Sequence, residues 1–114
     1  MGAKADEFNA YREKMNERLL SAENNKVLKR IFNVDTNAYL EGEMPVKTKE
    51  MLGLVASLVL RCDDCIKYHL IKCYENNMSD AELFEVLGIA NLVGGTIVIP
   101  HTRRAVEFWD DLKS

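Results

Sequence analysis

Apolar and polar residues alternate along this chain with a helical period almost throughout. From Asp6 to Leu20, the residues Phe8, Tyr11, Met15 and Leu19 recur every three or four positions among charges. That spacing predicts an amphipathic surface helix. A second, less regular pattern begins at Val27, Leu28, Ile31 and Phe32 and continues through Val34, Ala38, Tyr39 and Leu40. It ends at Gly42, and Pro45 follows, which makes this the clearest break in the chain. Thr48 is the candidate cap of the next helix, which carries Glu50 and then the run "MLGLVASLVL" from Met51 to Leu60.

That run is apolar on every side, as is most of "AELFEVLGIANLV" from Ala81 to Val93. A helix of this kind must be covered all round, and a chain of 114 residues has little material for the task. Cover from further copies of the chain is therefore expected. The second of these helices has a capping box at its start, because Ser79 and Glu82 can satisfy each other's free amides. Gly94 and Gly95 loosen or end it. "TIVIP" (Thr96–Pro100) is rich in strand formers, but no second strand signal exists to pair with it. It reads as the entry to a last helix, started or kinked at Pro100 and running past Arg103, Ala105, Phe108 and Trp109 to Leu112. There is no internal repeat, low-complexity segment or linker. The expected architecture is all-α, with residues 1–114 forming a single domain of about six helices.

Composition narrows the partners. At 47% hydrophobic the chain can bury a core without help from metal or disulfides, and a net charge of −3 gives no general attraction to nucleic acid. The longest apolar run is far short of the ~20 residues of a membrane span. The N-terminus has no apolar stretch of the signal-peptide kind, and Asp6 breaks the myristoylation pattern. Three cysteines are an odd count for a secreted disulfide framework. A cytoplasmic protein with thiols reduced at rest is expected, without membrane contact.

The densest chemistry lies in "RCDDCIKYHL" (Arg61–Leu70). On a helix turning ~100° per residue, Cys62, Cys65, His69 and Cys73 fall within ~80° of one another. Asp63, Asp64, Lys67 and Lys72 lie off that stripe. A C-x-x-C at a helix start is a workable dithiol, since residues three apart are neighbours and the helix N-terminus favours a thiolate. His69, one turn beyond Cys65, is placed to take that cysteine's proton. Asp63 and Asp64 partly oppose the thiolate, yet both suit a helix's first turn. Cysteine as a small buried apolar residue is the competing reading, and the default for Cys73. A zinc site is disfavoured, because Cys62 and Cys73 would stand ~16 Å apart along one axis; no metal or cofactor is expected. His101, beside Arg103 and Arg104, could bind an anion, but a solvated helix start is the simpler account. The methionines form no stripe.

"KTKEMLGLVASLVLRCDDCIKYHLIKCYENNMSDAELFEVLGIANLVGG" resembles the carboxymuconolactone decarboxylase family, and within it the alkyl-hydroperoxidase D-like branch. The signature is a glutamate twelve residues before the first cysteine, C-x-x-C, and a histidine four residues after the second: Glu50, Cys62, Cys65 and His69. The resemblance covers about residues 45–112, and the first 40 residues add little to it. It implies an all-α fold and thiol-dependent peroxidase or disulfide-reductase chemistry. The substrate would be a peroxide or a small disulfide, with a thiol as electron donor. By the same resemblance Cys65 is the attacking thiolate, Cys62 its disulfide partner and His69 the base. Glu50 then orients His69 or relays its protons through water. Small members tend to be homo-oligomers, which suggests a hexamer or trimer. One departure is that Asp63 and Asp64 stand between the cysteines, where the best-known members often carry a histidine. Two alternatives belong beside this reading. The family's lactone decarboxylases generally lack the cysteine pair, and an oligomeric redox-sensing or binding module would use the dithiol without turnover.

Overall fold

In the computed structural model, which describes all of Met1–Ser114, the chain forms six α-helices and no strand. They are α1 (Ala3–Leu20), α2 (Lys26–Ala38), α3 (Val46–Leu60), α4 (Asp63–Glu75), α5 (Asp80–Gly94) and α6 (Ile99–Leu112), with a 3₁₀ turn at Thr96–Val98 before the last. The capping box forms as expected: Glu82 N–H donates to Ser79 Oγ at 3.1 Å, and Ser79 N–H to Glu82 Oε1 at 2.9 Å. Gly95 closes α5 at φ +86° and ψ −179°, an extended positive-φ conformation that glycine adopts without penalty. Thr48 is not a cap. The extended residue Pro45 (φ −68°, ψ 159°) precedes Val46, the first helical residue, and Thr48 lies inside α3. Proline suits this position because its missing N–H would have been unsatisfied there anyway. The last helix is entered through a turn of 3₁₀ rather than directly.

The junction that matters most is the tightest. α3 ends in a Schellman turn: Arg61 takes φ +60°, its N–H donates to Leu58 O at 3.0 Å, and the Cys62 N–H donates to Ser57 O at 3.1 Å. A non-glycine residue in the left-handed region costs roughly 1–2 kcal/mol, and strain of this kind gathers at functional sites. It sends the chain straight from α3 into α4, with Cys62 at the corner.

The bundle is built on α3 and α4, which pack on each other, with α5 against α3, α6 against α4 and α1 against α6. Seventeen buried apolar residues, among them Leu54, Leu58, Leu70, Leu83 and Trp109, make one core. Trp109 is buried with its indole N–H satisfied by Asp80 at 2.8 Å. Helix α2 stands apart, with no buried residue although one of its faces is apolar. Its position extends the molecule: the radius of gyration is 14.8 Å, against about 13 Å for a compact chain of this length. Val27, Ile31 and Val34 on α2 are exposed, and so are Phe84, Ile89 and Leu92 on α5, Leu92 to 84%. Leu52 and Leu60 on α3 are exposed as well, so the two apolar helices of the sequence, α3 and α5, are covered on the inside only. No helix is long and apolar enough to cross a membrane.

Candidate active site

Cys62 is the N-cap of α4, where its sulfur accepts the Cys65 N–H at 3.3 Å. The two cysteines are joined in a disulfide with a Cα–Cα distance of 5.2 Å. Since Cys62 has cap rather than helical backbone, the sulfur stripe starts on the corner and descends: Cys65 is exposed, His69 buried and Cys73 fully buried. Cys73 is a free thiol, pushed up to about 12 by its burial and secondarily by the charge of Glu50. It belongs to the core and stands apart from the dithiol.

Glu50 and His69 come from different helices, one turn into α3 and halfway along α4, and α3–α4 packing brings them together. His69 Nδ1 lies 2.8 Å from Glu50 Oε1, with residue exposures of 8% and 3%. The glutamate therefore touches the ring directly, the orienting contact of the two arrangements expected for it. A carboxylate on Nδ1 holds the proton on that nitrogen and leaves Nε2 as the acceptor. Nε2 faces Tyr39 Oη at 3.4 Å. Burial, then the charges of Glu50 and Asp35, raise the Tyr39 phenol above its ordinary value and keep it protonated. The imidazole also meets the edge of Tyr68.

Gly53 makes room for this arrangement. A Cβ added there would lie 2.6 Å from His69 Cε1, 2.8 Å from Nε2 and 2.7 Å from Tyr39 Oη. The histidine ring comes so close to the α3 backbone at Gly53 that only a glycine leaves space for it. Neither Tyr39 nor Gly53 was a sequence candidate. The one available signal for Gly53 was a glycine inside an apolar helical run, a residue that weakens a helix by ~1 kcal/mol relative to alanine unless something needs the space.

Two clefts flank the Glu50–His69 pair. One, of about 260 Å³, is lined by Arg12, Asp35, Asp64, Cys65, Tyr68 and His69 and opens the disulfide to solvent. The other, of about 430 Å³, includes Glu50, Tyr39, Tyr68 and Lys72. The two acids between the cysteines part company. Asp64 borders the first cleft, whereas Asp63 turns to α6 and meets His101 and Arg104. Burial would raise the Asp63 carboxyl, but the hydrogen bonds from His101 and Arg104 prevail and hold it below its usual range. His101 lies at the start of α6 as expected, but it is largely buried against Asp63 rather than solvated. No group of three metal-ligating side chains occurs.

An all-helical fold that sets a C-x-x-C disulfide at a helix corner, above a buried Glu–His pair, defines a dithiol-bearing helical module. Comparison with known proteins places it: residues 25–108 match the model of the carboxymuconolactone decarboxylase family, and the chain belongs to that family. The match begins at α2, well ahead of the segment that carried the resemblance. The crystal structure of TM1620 from Thermotoga maritima superposes with a TM-score of 0.90 at 53% identity, covering 94% of this chain and 93% of that one. A second crystal structure of the same protein gives a TM-score of 0.87 at 52% identity, covering 94% and 90%. That protein is described as a family member with a possible part in an antioxidative response. The lpg0406 protein of Legionella pneumophila shares the fold (TM-score 0.81, coverage 96% and 99%) at 22% identity. An uncharacterised protein of Cupriavidus necator is 26% identical over 74 residues, which span 65% of this chain and just under two thirds (66%) of that protein.

Proposed function

We propose that this protein is a thiol-dependent oxidoreductase that reduces peroxides or small disulfides. The observation that carries the reading is the pairing of an accessible C-x-x-C disulfide with a buried histidine, held by a carboxylate, in the wall of one cleft. In the reduced protein His69 Nε2 takes the Cys65 proton. The thiolate attacks a hydroperoxide oxygen, so that an S–O bond forms and the O–O bond breaks. The departing alkoxide receives the proton from His69. Cys62 then attacks the resulting sulfenic acid, the disulfide closes and water leaves. An external thiol donor returns the two electrons. Glu50 fixes the tautomer of His69 and, at the second cleft, gives its proton a way to solvent. The antioxidative link of the Thermotoga relative is consistent with this chemistry.

We further propose a homo-oligomer, a trimer or hexamer, supported by the exposed apolar faces of α2 and α5. The deciding experiment is stopped-flow oxidation of the reduced protein by hydrogen peroxide, an organic hydroperoxide and a small disulfide. Fast consumption selective for one of them is the expected result. Slow, unselective oxidation would favour a redox-sensing module, and lactone turnover without thiols a decarboxylase; either would overturn the reading.

A further inference from the structure

Asp63, the residue after Cys62, is the acid of the C-x-x-C whose charge is met from another helix. His101 Nδ1 donates to its Oδ1 at 2.8 Å, and Arg104 Nε to its Oδ2 at 3.2 Å. The two donors lie one turn apart on α6, and Arg104 Nη2 stands 3.2 Å from the same His101 Nδ1, a close approach of two donors that both turn to Asp63 rather than a hydrogen bond between them. We propose that His101 and Arg104 are positioning residues for the dithiol: they cancel the Asp63 carboxylate and tie the first turn of α4 to α6. The reduced cysteines are thereby spared an uncompensated negative charge beside them.

A carboxylate next to a thiol disfavours the thiolate, and a fixed cation restores it. The guanidinium stays charged at every working pH, so Arg104 supplies a constant compensation. His101 adds a second donor that keeps the carboxylate turned towards α6. The burial of most of an imidazole at a helix start, which the local sequence does not require, follows from this contact. The thiol environment also includes Arg12 of α1, Asp35 of α2, and Asp64 and His69 of α4, with Glu50 of α3 behind His69. None of these is altered in the test below.

The inference rests on the dithiol reading of the site, but its test reads the charge of the thiols and needs no turnover. The reduced full chain is alkylated with iodoacetamide across pH 5 to 10, with modification at Cys62 and Cys65 followed by mass spectrometry. Arg104→Met should raise the midpoint by about half a unit to one unit, and slow alkylation at pH 7 by about threefold to tenfold. Adding Asp63→Asn to Arg104→Met should bring the midpoint back to the wild-type value or below, because the charge that needed cancelling is gone. A purely structural bridge predicts the opposite: the double variant would be no better than the single. Asp63→Asn alone leaves the cation unopposed and should lower the midpoint. An unchanged midpoint in Arg104→Met, an unrescued double variant, or a raised midpoint in Asp63→Asn would overturn the proposal. Slow peroxide consumption with these shifts intact would count against the peroxidase reading alone.

Discussion

Gly53→Ala tests whether the placement of His69 matters to the dithiol. The added methyl would lie 2.6 Å from His69 Cε1 and 2.7 Å from Tyr39 Oη, whereas ordinary carbon contacts are at ~3.5–4.0 Å. The ring must therefore retreat by roughly 1 Å. It cannot do so freely, since Nδ1 is bonded to Glu50 at 2.8 Å and the edge of Tyr68 packs against it. Two effects on stability oppose each other. Alanine in place of a helical glycine gains ~1 kcal/mol, while overpacking a tight site costs ~1–3 kcal/mol. The net loss should be no more than about 2 kcal/mol, or a fall in Tm of roughly 10 °C or less.

The effect on reactivity is larger, because misplacing a reacting group by ~1 Å can cost ~10²-fold. Oxidation of the reduced variant by an organic hydroperoxide at pH 7, in a stopped-flow instrument, should be slowed ~10- to 100-fold while calorimetry still finds a cooperative transition. Retention of the wild-type rate by a folded variant would refute the reasoning, since the histidine would then have moved without consequence.

His69→Ala should slow Cys65 oxidation ~10²–10⁴-fold near neutral pH and recover much of it at high pH, where the thiol ionises unaided; a stopped-flow pH profile reads both. Glu50→Gln should give a smaller loss of the same form, measured in the same way. The Cys73 thiol, whose ordinary value is 9.0, is raised to about 12 in the fold, so the folded state holds that proton where the unfolded state has released it. Its contribution to stability is intact below pH ~9 and falls by ~1.4 kcal/mol per unit towards about 12; denaturant titrations of wild type and Cys73→Ala across pH 8 to 11 should show the variant with the flatter alkaline limb. Light scattering at micromolar concentration should show more than one copy, and Leu92→Glu, which places a charge on an exposed apolar site, should shift the assembly towards smaller species.

Legibility from sequence followed the range of the interactions. Where two neighbouring residues decide the backbone, as with Ser79 and Glu82 or Gly95, the helix ends lie where the pattern puts them. Thr48 failed because capping preference alone does not say which of several nearby residues stops being helical first; Pro45 had already settled it. The stripe of Cys65, His69 and Cys73 could be read from helical periodicity, but its gradient from solvent to core could not, because depth depends on what packs over each turn. Glu50 came only through a family likeness, and Tyr39 and Gly53 not at all. Their roles exist only where α2, α3 and α4 meet, and no spacing within one helix encodes that meeting. The same holds for Asp63, whose partners lie 38 and 41 residues away.

The short span between Cys62 and Cys65 also decides how much the fold stakes on its cross-link. A disulfide stabilises largely by removing freedom from the unfolded chain, and the gain grows with the loop it closes. With a separation of three residues, that loop is near the smallest possible, and the chain-entropy estimate is about 2 kcal/mol. A cross-link between distant helices would confer more and would make every reduction a threat to the native state. Here the bond joins two ends of a single turn that Ser57, Leu58 and the α4 backbone already hold in place. Two electrons and two protons open the bond to the dithiol and their removal closes it again, and because the loop is so short this exchange shifts the stability of the fold by only about 2 kcal/mol, less than a cross-link between distant helices would.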